Sequence, residues 1–308
     1  MPPKPAQWTG PPAIGIIGGT GLYELEGFSP SMGGNAQWVD VESAFGKPSD
    51  QLLIGDYAGQ RMVFLPRHGR GHRIPPSQIN YRANIEALKR AGVTQLIAFS
   101  AVGSLREELS PGTFVVVDQY IDRTFAREKS FFGPGFVAHV SIADPVCRRL
   151  GDALETAATK VGAPVARGGT YIVMEGPQFS SRAESNLYRA WGCDVIGMTN
   201  MPEAKLAREA ELCYATVAMV TDYDCWKPHE EGVTAAQILK VLAENVGRAR
   251  DVVRAVAPAI GSRTDPCPHG CDRALDSAIA TPPASRDPLM VQKLSVVAGR
   301  AMAAKGWV

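Results

Sequence analysis

The stretch AIGIIGGTG, residues 13–21, is a short apolar run that stops at a cluster of glycines. Such a run is typical of a buried strand followed by a tight turn. Further short apolar runs separated by turn signals, several of them alternating with helical patterns, lie at residues 61–65, 96–99, 114–117, 170–174, 193–196 and 214–220. This alternation predicts an α/β fold, with helices on a central, twisted sheet that is mixed but largely parallel.

The composition is that of an ordinary globular chain, with 45% hydrophobic and 20% charged residues among 308. The 32 Lys and Arg residues nearly balance the 31 Asp and Glu residues. Because the net charge is so small, binding to nucleic acid or to an anionic membrane is not predicted. No apolar stretch reaches the roughly 18 residues of a membrane helix, and the proline-rich start lacks the apolar segment of a secretory signal. Six cysteines, mostly in apolar runs, indicate reduced thiols and a cytoplasmic protein.

The chain is predicted to form one domain with two appendages. A flexible tail covers residues 1–12, and the α/β domain covers residues 13–260. Residues 261–308 form a loop followed by a short helix that begins near Asp287. Between residues 124 and 146 the periodicity fades, which predicts a long loop, and long loops in compact domains tend to be functional.

Chemically distinctive residues follow the predicted strands. Ligands of parallel α/β sheets bind just beyond the carboxyl ends of the strands. We call the positions just after each strand the strand exits. The residues there are the glycine cluster with Thr20, Arg67 with His68, Ser100, Met198 with Thr199, and Asp222 with Asp224. They predict a ligand with an anionic part, an apolar part and a part rich in hydrogen-bond donors.

The first two exits are suited to an anion. The glycines at 18–21 allow several backbone N–H groups to turn toward one, and Thr20 adds a hydroxyl. Arg67 can grip phosphate through its planar fork, with a hydrogen bond added by His68. A plain tight turn and a solvated surface loop are the alternatives. The glycine spacing matches neither the triphosphate-binding nor the dinucleotide-binding pattern, although Asp40 lies where the ribose-binding acid of a dinucleotide site would fall.

Asp222 and Asp224 are predicted to act as a pair. Alternation along a strand directs both carboxylates to one side, and two like charges beside an apolar wall raise the pKa of one of them. A protonated carboxyl can protonate a leaving group while its partner accepts a hydrogen bond from an amine. An Asx turn is the alternative. A metal site is not expected, because no third ligand follows at close spacing.

Six motifs, collinear between residues 14 and 256, resemble the purine nucleoside phosphorylases, and the last two resemble the branch of that family that cleaves S-methyl-5'-thioadenosine. They are IGIIGGTG (14–21), PRHG (66–69), SAVGSL (100–105), DQYIDRT (118–124), EGPQFSSRAES (175–185) and TDYDCW (221–226). The resemblance implies a phosphorylase-type sheet and cleavage of the N-glycosidic bond by phosphate, giving adenine and 5-methylthioribose 1-phosphate. It implies inorganic phosphate as a co-substrate and no metal or organic cofactor.

The resemblance also implies a role for each residue at the strand exits. Phosphate would be held by Thr20, Arg67, His68 and Ser100. The nucleoside would contact Phe179 on the purine, Met198 and Thr199 on the ribose, Asp222 as the acid at purine N7, and Asp224 at the 6-amino group.

Two further positions extend the implied site. His139 matches a residue that reaches the methylthio group of the neighbouring subunit's substrate, which implies a homotrimer or a hexamer built from two trimers. Ile238 matches a position that lines the alkylthio pocket. Three other functions stay open: a 6-oxopurine nucleoside phosphorylase, where an amide would be expected near the second carboxylate, a dinucleotide-dependent dehydrogenase, and a non-catalytic nucleoside-binding protein.

The cysteines of the tail allow several interpretations. Three residues separate Cys267 from Cys271, and no second cysteine pair lies nearby in sequence, so a zinc site, a local disulfide and two idle thiols are alternatives. Cys147, Cys193 and Cys213 lie in apolar contexts and are interpreted as small core residues.

Overall fold

An eleven-stranded sheet forms the centre of the structure, a computed structural model that describes residues 10–19, 21–227, 235–304 and 306, with only the backbone of residues 235–240. Its strands are β1 (Ala13–Gly18), β2 (Gln37–Val39), β3 (Leu52–Tyr57), β4 (Gln60–Pro66), β5 (Val93–Ser104), β6 (Phe114–Val116), β7 (Gln119–Arg123), β8 (Val165–Arg167), β9 (Thr170–Met174), β10 (Val195–Gly197) and β11 (Cys213–Asp222). The helices are α1 (Tyr81–Arg90), α2 (Arg148–Lys160), α3 (Arg182–Ala190), α4 (Asn200–Glu209), α5 (Ala235–Ile260), α6 (Pro288–Lys293) and α7 (Gly299–Ala304).

The long strand β5 organises the sheet. It lies parallel to β1 and β11, and its last residues pair antiparallel with β10. Six strand pairings are parallel and four are antiparallel, which confirms the predicted mixed, largely parallel sheet. The carboxyl ends of β1, β4, β5 and β11 therefore meet at one edge, where their exit residues come together.

Helices cover both faces of this sheet. α1 and α4 pack on one face together with residues near the C-terminus, and α2 and α5 pack on the other. α1 begins at Tyr81 because Asn80 caps it by accepting a hydrogen bond from the N–H of Ala83. No element was predicted for residues 147–169, yet α2 lies there and buries Leu150 and Leu154.

The loop predicted at residues 124–146 is present and partly buried. Neither a helix nor a strand lies between β7 and α2, and Phe131 and Phe136 are buried in the core. Glu209 of α4 accepts hydrogen bonds from Ser130 Oγ and from the N–H of Phe131, so one carboxylate holds this part of the loop. Backbone outside helices and strands is tolerated inside the core when its N–H and C=O groups find hydrogen-bond partners of this kind.

Residues after α5 join the same core. Leu294, Val297 and Met302 are buried against α1 and α4, and Arg300 forms an ion pair with the buried Glu211. The predicted helix near Asp287 is α6, and Asp287 caps it through a hydrogen bond from the N–H of Leu289. The chain is thus a single α/β domain with helices at its C-terminal end. None of the helices in the described residues is both long and apolar enough to cross a bilayer.

Candidate active site

A cavity of about 790 Å³ lies where the predicted strand exits converge. Every exit supplies residues to its lining: Gly19, Arg67, His68, Ser100, Met198, Thr199, Asp222 and Asp224, with Phe179 beside them. Thr20 and the side chain of Ile238 lie outside the described residues. The structure therefore brings the described exit residues together around one cavity.

Arg67 occupies one end of the cavity, but its fork is already engaged. The side chain is buried, and Nε and Nη2 donate to the two carboxylate oxygens of Glu203 at 2.7 and 2.9 Å. Nη1 donates to the carbonyl of Phe99 at 2.9 Å, and Nη2 also approaches the carbonyl of Ile17 at 3.5 Å. One Nη1 hydrogen remains. The prediction that the planar fork of Arg67 grips an anion is therefore wrong in its geometry, because Glu203 holds the fork.

The charge of this pair is locked in place. Burial by itself would lower the pKa of Arg67, but the charge and hydrogen bonds of Glu203 raise it above its usual value. Glu203 also accepts from the hydroxyl of Tyr214 at 2.9 Å. Sequence reasoning missed Glu203, which lies on α4, 136 residues from its partner. α4 carries several charged residues, and nothing in the sequence distinguished Glu203 from the others.

His68 lies next to this pair as a neutral imidazole. Its Nδ1 lies 2.8 Å from the carbonyl oxygen of Ile74, which can only accept, so Nδ1 carries the hydrogen and Nε2 keeps a lone pair. Burial, reinforced by the positive charge of Arg67, lowers the pKa of His68 to about 4. Near pH 7, His68 is therefore neutral, with an acceptor nitrogen still available.

A small hydroxyl network follows along the cavity floor. Ser100 Oγ lies 3.0 Å from the hydroxyl of Tyr171 and 2.9 Å from Thr199 Oγ1. Burial raises the pKa of Tyr171, which keeps its hydroxyl protonated. Gly197 leaves room for the Tyr171 ring, since a Cβ there would collide with it. Tyr171 was not predicted, because a tyrosine within a buried strand carries no sequence sign of its partner.

Asp222 and Asp224 follow β11, which β1 and β5 separate from β4 and Arg67, so they lie toward the other end of the cavity, where they face Gly103 of β5. Asp222 accepts hydrogen bonds from Thr221 Oγ1 at 2.7 Å and from the N–H of Asp224 at 2.8 Å. Burial raises the pKa of Asp224, and the charge of Asp222 raises it further. Oδ2 of Asp224 is buried without a hydrogen bond of normal geometry to any described group. The expected rise of one pKa is confirmed, and it falls on Asp224.

The reason for the pairing differs from the predicted one. β11 ends at Asp222, and Asp224 has a φ of 54°, so strand alternation does not align the two side chains. The bond from the N–H of Asp224 to Asp222 is the Asx-type turn that was the alternative interpretation. The turn and the paired carboxylates therefore coexist.

A buried ion pair that was not predicted holds the lining residue Met198. Arg127 forms an ion pair with Glu175 at 3.0 Å and donates through Nη1 to the carbonyl of Met198 at 2.6 Å. Gly176, at a φ of 70°, leaves room for the Met198 side chain. Phe179 is 60% exposed and lies at the cavity mouth. Arg127 lies in the long loop that was expected to be functional.

Two predicted residues lie away from this cavity. His139 is exposed, its N–H donates to the carbonyl of Ala278 at 2.8 Å, and it does not line the cavity of its own chain. Asp40 is also exposed, accepts from Gln51 Nε2 at 2.9 Å, and does not line the cavity. Asp40 is therefore not placed to bind a ligand in this cavity, and the dinucleotide-binding interpretation lacks the acidic residue that would bind the ribose.

The arrangement separates two kinds of chemistry within one cavity. One end combines Arg67, His68 and Ser100 and is suited to an oxyanion. The other end carries a carboxyl group with a raised pKa beside a second carboxylate, and is suited to proton donation. Apolar side chains of Phe99 and Met219 line the same cavity, which suits a ligand with a flat or apolar part.

Comparisons with known proteins agree on one family. A family model described as the phosphorylase superfamily matches residues 13–258. The S-methyl-5'-thioadenosine phosphorylase of Rhodospirillum rubrum is 58% identical over 94% of this chain and 97% of that protein. A methylthioadenosine phosphorylase from an antarctic soil metagenomic library has a TM-score of 0.86 and 43% identity, over 93% of this chain and 99% of that one. A methylthioadenosine phosphorylase from Schistosoma mansoni in complex with adenine has a TM-score of 0.76 and 38% identity, over 82% and 93%.

Glu203→Gln should destabilise the protein strongly, because it leaves the buried Arg67 charge uncompensated. We expect a loss of about 3 kcal/mol in the free energy of unfolding, measured in urea at fixed protein concentration. Asp251→Asn is the matched control, since the Asp251–Arg254 pair is half-exposed and should contribute less than about 1 kcal/mol. Equal losses for the two variants would contradict a structural role for the buried pair.

His68 should make stability depend on pH. Its pKa is 6.5 in the unfolded reference and about 4 in the fold, so the unfolded chain binds more protons between these values. This contribution to stability is complete above pH 6.5 and is lost as the pH falls to 4, by up to about 3 kcal/mol. His68→Gln should lack this component in urea unfolding at several pH values. His72→Asn, on the same loop, should retain it, and identical pH profiles for wild type and His68→Gln would refute the assignment.

Proposed function

The chain belongs to the phosphorylase superfamily, and from this premise we propose how its cavity performs its reaction. The reaction is phosphorolysis of the N-glycosidic bond of S-methyl-5'-thioadenosine, which gives adenine and 5-methylthioribose 1-phosphate. The protein is thus a pentosyltransferase of nucleoside salvage. The observation that supports the residue roles is that one cavity is lined both by Arg67, His68 and Ser100 and by the carboxyl pair, and that Arg67 and this pair follow strands separated by β1 and β5.

The chemistry requires both ends at once. As the bond from the anomeric carbon to N9 breaks, its electron pair goes to the purine and the sugar acquires oxocarbenium character. A phosphate oxygen then bonds to the anomeric carbon from the face opposite the base, with inversion. Negative charge beneath the sugar and a proton delivered to N7 both stabilise this transition state more than the ground state.

Phosphate is assigned to Thr20, Arg67, His68 and Ser100. Since Glu203 neutralises Arg67, the pair is close to neutral overall, and Arg67 contributes its one remaining Nη1 hydrogen rather than a bidentate grip. Ser100 contributes a hydroxyl that Tyr171 and Thr199 orient. The neutral His68 has an acceptor nitrogen suited to a phosphate oxygen that still carries a proton. Directional hydrogen bonds therefore hold the phosphate more than net charge does.

The base is assigned to Asp222 and Asp224. In the free site, burial and the charge of Asp222 raise the pKa of Asp224 and make it easier to protonate than an ordinary aspartate. An adenine 6-amino group donating to Asp224 would favour its ionised form, so the proton shared by the pair passes to Asp222 and from there to N7. Asp222 is thus the catalytic acid. Proton transfer becomes coupled to recognition of the amino group.

The remaining assignments concern the substrate's surroundings. Phe179 packs on the purine, and Met198 and Thr199 contact the ribose, the methionine against the sugar face. Ile238 is assigned to the alkylthio group of the substrate. Phosphate is a co-substrate, and we assign the reaction no catalytic metal and no organic cofactor, since the protein groups and phosphate account for each bond and proton.

We further infer that the protein works in the cytoplasm as a homotrimer, or as a hexamer of two trimers. His139 supports the oligomer, because it is exposed and lies away from the cavity of its own chain. In a trimer it can cover the methylthio group bound in the neighbouring subunit. The open, exposed position of Phe179 is consistent with a mouth that another chain completes.

The carboxyl pair should select a 6-amino over a 6-oxo purine. We expect kcat/KM for S-methyl-5'-thioadenosine to exceed that for methylthioinosine by about 10⁴-fold, because a carboxylate facing a 6-oxo group is left unpaired. Asp222→Asn should lower kcat by about 10²- to 10⁴-fold through loss of the proton donor. Asp224→Asn should reduce the ratio of kcat/KM for S-methyl-5'-thioadenosine to kcat/KM for methylthioinosine, since the new amide can donate to a 6-oxo group. Equal kcat/KM for both substrates in the wild type would contradict these roles.

His139 should act only on substrates with a 5'-alkylthio group. His139→Ala is expected to raise KM for S-methyl-5'-thioadenosine several-fold and to leave KM for adenosine nearly unchanged. His269→Ala, another exposed histidine, is the control and should change neither. Sedimentation of the wild type should give three or six chains. A fully active monomer would exclude the role given to His139.

A further inference from the structure

Four cysteines from three separate segments meet on the side of the domain away from the cavity mouth. Cys147 precedes α2, Cys213 begins β11, and Cys267 and Cys271 lie in the tail that follows α5. All four are buried, and their Sγ atoms lie within 4.8 Å of one another. Cys193, also buried, lies outside the cluster.

The spacing matches tetrahedral coordination. Four sulfurs at about 2.3 Å from a central zinc ion lie about 3.8 Å from one another. The Sγ atoms of Cys147 and Cys267 lie 3.8 Å apart. The four positions are mutually close rather than divided into two bonded pairs, and all four cysteines are free thiols. Four ligand atoms this close to one another suit a single ion.

The surroundings suit thiolates. Arg263 Nη1 lies 3.8 Å from the Cys213 sulfur, and a guanidinium there offsets part of the charge of a tetrathiolate site. Cys147 is the N-cap of α2, where the helix dipole favours a thiolate. The turn from Cys267 to Cys271 is closed by a hydrogen bond from the N–H of Gly270 to the carbonyl of Cys267, with Gly270 at a φ of 66°.

We propose that Cys147, Cys213, Cys267 and Cys271 bind one structural Zn²⁺ ion. Soft thiolates select zinc over magnesium or calcium, and a closed set of four protein ligands is typical of structural rather than catalytic zinc. Each coordinating thiol releases its proton to solvent, and nothing is oxidised. The site resolves the alternatives left by the tail motif, because the missing second pair comes from α2 and β11.

The ion would fasten the tail to the sheet. Cys213 begins the strand that ends at Asp222, about 30 Å away at the usual rise per residue. The metal therefore takes no part in the reaction. Coordinate bonds through the ion would attach the loop at residues 267–271 to the starts of α2 and β11. Removal of the ion should therefore lower the stability of the protein before it lowers kcat.

The test begins with the intact, untagged protein, purified without chelator. Metal analysis should find about one zinc per chain. Refolding with Co²⁺ in place of zinc should give the charge-transfer and visible absorption of tetrahedral thiolate coordination. The double variant Cys267→Ser with Cys271→Ser should hold less than about a tenth of a zinc per chain and melt at a lower temperature. Cys193→Ser is the matched control and should keep its zinc.

The outcomes separate the alternatives even if the double variant folds poorly, because the wild-type measurements stand alone. The site would be supported by one zinc per chain together with a cobalt spectrum of tetrahedral thiolate coordination. After a chelator has removed the zinc, kcat measured at low temperature should be unchanged. Wild-type protein without zinc whose four thiols all remain titratable would overturn it, as would mass-spectrometric detection of disulfides among these cysteines. One iron per chain in place of zinc would also overturn the assignment.

Discussion

The buried ion pair between Arg67 and Glu203 is the constraint on which the site depends. Arg67 follows β4 and also donates to carbonyl groups of β1 and β5, while Glu203 brings in α4 and accepts from Tyr214 of β11. One guanidinium thus joins five elements at the edge where the strands end. An unpaired buried charge costs several kcal/mol, so these elements are held in one register relative to one another.

This pair also determines the electrostatic character of the anion-binding end. A free arginine would attract any phosphate strongly, including the product's. With Glu203 beside it, the same arginine offers direction without much net charge, and the neutral His68 adds none. Phosphate is therefore attracted only weakly in the ground state. Stabilisation of the transition state can then increase as the sugar becomes positive, and this difference between the two states is what catalysis, as opposed to tight binding, requires.

The sequence allowed prediction of positions much better than of partners. Strand exits are local: Arg67, Ser100 and Asp222 each follow an apolar run, so topology alone brings them together. Glu203 and Tyr171 were missed because nothing local distinguishes them within α4 and β9, and their partners lie far along the chain. The raised pKa of one carboxyl followed from like charges, but its placement depends on burial, which only the folded chain defines.

The same distinction explains the cysteines. A C-x3-C spacing is ambiguous when read locally, because two thiols cannot complete a tetrahedron. The fold supplies Cys147 and Cys213 from the start of α2 and of β11, which lie together only because α2 packs beside that strand. β11 thus has a different chemistry at each end, with sulfur where it begins and a carboxylate where it ends. A tether at its first residue restrains the strand without touching the substrate, so stability and catalysis can vary independently along one element.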